Sequence, residues 1–187
     1  MKSRPEYVIG LKELSKLGWY VTSLMSAAEI AYYSRRSNTK SPRYLDKQLA
    51  KYYSTHFEEV IFSLMRENPD RSNIILEASK AHKSRMYYCS TCLFLTQADS
   101  ICKGELYKTA KSKKRLRDLL HKEKQKVDQI LTVIMEESSI DAYFPTNSQY
   151  PSSLNRHGVL HGYSLDYGTK VNSLKALSLL AFVSNFK

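Results

Sequence analysis

The sequence predicts an all-α fold, and three observations carry that prediction. Apolar residues return every three or four positions through most of the chain, the period of a helix with one buried face. Glycine and proline number only 6 and 5 in 187 residues, so few positions interrupt a helix. No stretch alternates apolar and polar residues in the way a half-buried strand does. A chain of this length buries one core, and we read residues 1–187 as a single helical domain.

The elements follow in order. "PEYVIGLKELSKLGWYVTSLMSAAEIAYYSRR", residues 5–36, puts Val8, Leu11, Leu14, Leu17, Val21, Leu24 and Ala28 on one face and reads as one helix, bent at Gly18. "RSNTKSP" is a turn, after which Ser41 as cap and Pro42 at the first helical position open a second helix reaching about residue 66. "ENPD" breaks it. Asp70 then caps a third helix to about residue 83, with Ile74, Ile75, Ala78 and Ala81 inward. "MYYCSTCLFLTQADSIC" is apolar over much of its circumference and belongs at the centre, so its polar members Gln97 and Asp99 need partners there. A basic loop, "ELYKTAKSKKRLRD", leads into a helix carrying Leu116, Leu119, Leu120, Val127, Ile130, Leu131 and Ile134, and "SSIDAYFPTNSQYPSS" is a connector whose prolines exclude continuous helix. A short helix starts at Ser152 or Ser153 and stops at Gly162, and a final one, capped by Thr169, buries Val171, Leu174, Leu177 and Ala181.

A net charge of +11 suits nucleic acid, an anionic membrane face or an acidic protein. The opening "MKSRPEYVIG" mixes charges and a proline with its apolar residues, unlike a secretory signal, and "ALSLLAFV" is too short to cross a bilayer. The expectation is a cytoplasmic chain without a membrane partner. The odd count of 3 cysteines (Cys89, Cys92, Cys102) fits reduced thiols. "CSTC", with His82 nearby, has the spacing of a metal or redox pair, but in a helix-patterned segment we read these cysteines as small buried hydrophobes and assign no metal and no cofactor.

The chemistry concentrates in "SLNRHGVLHGYSLDYGT", residues 153–169. His157 and His161 fall on one helix face, and Arg156 is long enough to reach the same opening. In-line attack by a ribose 2′-hydroxyl on an RNA phosphodiester needs one proton removed, one supplied, and a cation beside the phosphorane. Imidazole and guanidinium supply all three without a metal. Two other uses of the same residues stay open: the histidine pair can hold a transition metal if a third ligand comes from elsewhere, or can satisfy buried hydrogen bonds around "DYGT".

"RHGVLH", in which Arg156 precedes His161 by five positions and a polar residue follows the arginine, resembles the signature of the HEPN superfamily of small all-helical proteins. The longer strings "NRHGVLHGYSLDYGTKVNSLKALSLL" and "ILEASKAHKSRMYYCSTCLFLTQADSIC" extend that similarity, and the motif segment is 152–187. The resemblance implies a metal-independent endoribonuclease whose site forms where two protomers face each other, with Arg156 on the phosphate, His161 as acid and base, and His157 assisting. It implies a polar contact to Arg156 from an earlier helix, for which Asp99 and Gln97 are the candidates. It also implies a toxin or an antiviral abortive-infection effector, restrained by an antitoxin or another regulatory partner. Asn155 is placed to hydrogen-bond the same phosphate, and Asp166 is the carboxylate closest in sequence.

Residues 103–126 are the densest cationic stretch. Lys111, Lys113, Lys114, Arg115 and Arg117 there either guide RNA through its phosphates or form a solvated face. Of the 14 tyrosines, Tyr143, Tyr150, Tyr163 and Tyr167 flank the cluster, where they can stack on unpaired bases or simply pack. His56, His82 and His121 receive no chemical role. The alternative to an enzyme is a non-catalytic HEPN-like module that binds nucleotide, RNA or a partner protein.

Overall fold

The computed structural model describes residues 5–37, 39–101 and 154–185, and every regular element among them is helical. The elements are α1 (Pro5–Lys16), α2 (Ala27–Ser37), α3 (Pro42–Thr55), α4 (Phe57–Glu67), a 3-10 turn (Pro69–Arg71), α5 (Ser72–Lys83), α6 (Tyr87–Ile101), α7 (Arg156–Leu160) and α8 (Lys170–Ser184). The predicted basic loop, the helix after it and most of the proline-containing connector lie outside the described residues, and with them Lys111, Lys113, Lys114, Arg115 and Arg117. No described helix is long and apolar enough to cross a membrane.

The predicted first helix is two helices. Gly18, at φ 78°, closes α1 as its successor Trp19 turns its N–H back to the Leu14 carbonyl at 3.0 Å. The chain then runs without regular structure to Ser26, yet Trp19, Tyr20, Val21, Thr22 and Met25 are buried. Such a segment needs partners for its backbone, since an unpaired buried amide is costly. The Tyr20 N–H donates to Ser178 Oγ at 3.2 Å and its carbonyl accepts from Tyr53 Oη. Ser26 and Glu29 then cap α2 reciprocally. Ser26 Oγ accepts from the Glu29 N–H at 3.2 Å, and Glu29 accepts from the Ser26 N–H at 2.8 Å.

Ser41 caps α3 as expected, its hydroxyl accepting from the Tyr44 N–H at 3.3 Å, with Pro42 following. The second predicted helix divides at His56, which leaves helical geometry (φ −97°, ψ 18°) and lets Tyr52, Tyr53 and Phe57 all be buried. Asp70 does not cap α5. It lies in the 3-10 turn, and α5 starts from Arg71 without a side-chain cap. Within α5, Ile75 and Ala78 face inward as predicted, while Ile74 is exposed and Ser79 and His82 are buried instead.

At the centre lies α8, packed against α3, α4 and α6, and buried continuously from Asn172 to Ser184. That is more than the single stripe predicted from Val171, Leu174, Leu177 and Ala181. One charge comes with it. Lys175 is 1 % exposed, and its Nζ reaches Asp46 Oδ1 at 2.9 Å, the same oxygen that accepts from Trp19 Nε1 at 2.8 Å. Asp46 therefore joins α3, α8 and the buried linker in one polar cluster.

Candidate functional site

α7 is only five residues long, and the chain fixes both of its ends. Asn155 is fully buried, and its side-chain oxygen accepts from the Gly158 N–H at 2.6 Å. Asparagine is among the best helix caps for this reason. The helix thus starts at Arg156 rather than at Ser152 or Ser153. The buried Asn155 Oδ1 serves the backbone as the helix cap, a structural role beside the phosphate contact expected of this residue. At the other end, Gly162 turns to φ 74°, and the N–H groups of Tyr163 and Ser164 both reach the Gly158 carbonyl, at 2.8 and 2.9 Å.

This short frame holds three groups. Arg156 Nη2 donates to Asp99 Oδ2 at 2.6 Å, joining α7 to the last turn of α6. Both side chains are largely covered, so the pair is better shielded from water than a surface ion pair. Gln97, the other candidate for this contact, is buried and accepts from Arg71 Nη1 at 3.0 Å. The His157 ring, next in the chain, and the His161 ring lie with centroids 4.3 Å apart, and both stand near the exposed Tyr163 ring, at 6.2 and 6.3 Å.

No protein-family model, curated protein or solved structure matches the chain.

The electrostatics of the group follow from its crowding. Burial holds the His157 imidazole below its ordinary value, and the neighbouring charges of His161 and Arg156 push in the same direction. His157 is therefore neutral at neutral pH and can accept a proton. His161 is exposed at the end of the helix, where a ligand can reach it. A fixed guanidinium beside two imidazoles, one of them held neutral, suits proton transfer at an anionic centre.

The loop after α7 is tied to α6. Tyr88 Oη donates to the Leu165 carbonyl at 3.0 Å, its ring meets Tyr167 edge-on at 4.9 Å, and Tyr167 Oη lies 3.0 Å from Cys92 Sγ. Gly168 admits this packing, because a Cβ there would come within 2.2 Å of the Tyr88 ring. Asp166 is exposed on the loop, and Tyr167 is a packing residue rather than an open stacking platform. Of the cysteines, Cys92 is half-buried, but Cys89 is exposed, contrary to the expectation of a buried hydrophobe. Tyr143 and Tyr150 lie outside the described residues. The lysines of α3 escaped the sequence reading, because Lys47 and Lys51 look like ordinary solvated residues until the fold sets them beside Lys170.

Proposed function

We propose that the chain is a metal-independent endoribonuclease of the HEPN type, acting as a homodimer in the cytoplasm as a toxin or abortive-infection effector under the restraint of a partner. The observation that carries this reading is the Arg156–Asp99 pair at 2.6 Å, with His157 next in the chain and its ring centroid 4.3 Å from that of His161. Arg156 holds a non-bridging phosphate oxygen. One imidazole takes the proton of the ribose 2′-hydroxyl as that oxygen attacks phosphorus, and another imidazole protonates the departing 5′-oxygen. His161, the more accessible ring, works as acid and base, and the neutral His157 assists as acceptor. Asp99 positions Arg156. Tyr163, 60 % exposed beside the rings, and Leu165, 80 % exposed two positions on in the same loop, support a second protomer as the cover that completes the site.

The test uses purified protein, total RNA and transfer RNA, with and without a chelator, beside Arg156→Ala and His161→Ala. Cleavage that persists in chelator and is lost in both variants is the expected result. RNA binding without cleavage would leave the non-catalytic module, and activity lost in chelator would assign a metal-dependent hydrolase instead.

A further inference from the structure

Away from α7, a groove of about 390 Å³ opens between α3 and the start of α8, lined by Lys47, Ala50, Lys51, Ser54, Thr55 and Lys170. Its lining is one-signed. Lys47, Lys51, Ser54 and Thr55 fall on one face of α3 at helical spacing, and Lys170 is the first residue of α8. All three lysines are exposed, and none forms an ion pair or hydrogen bond with another described residue. Lys80 and Lys83, by contrast, are each matched to a glutamate, at 2.9 and 2.6 Å, while Lys40 is exposed and unpaired among the described residues but stands apart from the groove lining.

This arrangement does not serve stability. Like charges one helical turn apart, as at Lys47 and Lys51, repel each other. The positive end of α8, close to Lys170, adds to the same field, and Lys170 already depresses the protonation of His82. Cations gathered around a shallow, open groove with two hydroxyl donors can together hold a group rich in anionic oxygens. A phosphate matches it best. It presents several acceptors to the lysines and hydroxyls at once, and its charge removes the repulsion.

We propose that the groove between α3 and α8 is a phosphate-binding site, formed by Lys47, Lys51 and Lys170 with Ser54 and Thr55. The phosphate belongs either to an RNA backbone or to a free nucleotide, two sources of one chemistry. The inference does not depend on cleavage by the α7 histidines.

The test titrates His161→Ala protein, which keeps the groove intact, with inorganic phosphate, with ATP and with a short single-stranded oligoribonucleotide. Amide signals of Ser54, Thr55 and Lys170 are followed by NMR. The expected result is a saturable shift of these signals and about tenfold weaker binding after Lys47→Gln, Lys51→Gln and Lys170→Gln are combined. A triple control with the same loss of charge combines Lys80→Gln, Lys83→Gln and Lys40→Gln, and it leaves the binding within about twofold. Tighter binding of the oligoribonucleotide identifies the backbone as the source, and tighter binding of ATP identifies a nucleotide. If none of the three probes moves these signals, or if the control weakens binding as much as the groove variant does, the proposal is overturned.

Discussion

Asp99 is the residue on which the candidate site depends, because its 2.6 Å contact aims the Arg156 guanidinium. Asp99→Asn keeps the shape and removes the charge. A charge-assisted hydrogen bond contributes about 1.5–3 kcal/mol, so under the proposed function RNA cleavage falls about 10- to 100-fold in single-turnover assays, while the fold persists by circular dichroism. Unchanged cleavage would remove Asp99 from the site. For His157 the sign is equally definite. Its titration midpoint by NMR lies below the ordinary 6.5, and His161→Gln, by removing one neighbouring positive charge, moves it upward. A midpoint above 6.5 would contradict the crowding described here. At this scale the sequence was informative where a residue broke its local pattern. Asp99 stood out as the carboxylate of a helix apolar over much of its circumference, and the fold sets it against Arg156. Asn155 shows the ambiguity of the local pattern, because an asparagine beside an arginine can serve a ligand or a helix end, and the fold gives it the helix end.

Helices, the next scale, show what periodicity can and cannot reveal. Caps were legible at Ser41 and Thr169, and the Ser26–Glu29 capping box stands in the sequence as "SAAE", hidden within an apparently continuous apolar period. The division at His56 has no glycine or proline to mark it. It is imposed by tertiary packing, in which Phe57 stacks on the His82 ring of α5 at 4.6 Å. That packing sets a pH dependence. His82 is buried with Nδ1 2.8 Å from Ser173 Oγ, and burial holds it down at about 4, against 6.5 unperturbed. The folded-state value is depressed, so as pH falls below 6.5 the unfolded chain takes up a proton that the folded chain refuses. Stability is full above 6.5 and is lost as pH falls toward 4, by up to about 3 kcal/mol. Urea unfolding across this range checks the loss, and His82→Gln, which keeps a polar partner for Ser173, flattens it. Across the α3–α8 contact, Asp46→Ala strips the carboxylate from the buried Lys175 ammonium and costs about 3–5 kcal/mol in the same assay. Lys175→Met costs less, since Asp46 is partly exposed and keeps the Trp19 N–H. The reverse order would mean that Asp46, and not the ammonium, carries the burial cost.

Over the whole molecule, the all-α class was legible because it rests on a repeated signal that local errors do not erase. Helix boundaries shifted, one buried linker was missed, and the class still held. The juxtapositions were not legible, because no local pattern brings residue 99 to residue 156 or residue 47 to residue 170. Charge distribution acts at this scale too. A chain at +11 attracts any polyanion, so binding to RNA alone distinguishes little, and its salt dependence measures mainly the phosphates contacted. Assembly is more telling. Under the proposed function, Leu165→Asp places a charge on the exposed loop after α7 and converts a dimer into a monomer by sedimentation, with cleavage lost in parallel. A monomeric wild-type chain that still cut RNA would separate the chemistry from pairing.

The most direct measurement of the central claim is the chemistry of the RNA ends produced in chelator. Attack by the 2′-hydroxyl, assisted by imidazole and guanidinium alone, leaves a 2′,3′-cyclic phosphate and a 5′-hydroxyl, and a single 2′-deoxy substitution at the cut nucleotide prevents the break. The account predicts those ends from the wild-type chain and none from His161→Ala. A 5′-phosphate end, or a cut that ignores the 2′-deoxy substitution, would contradict it.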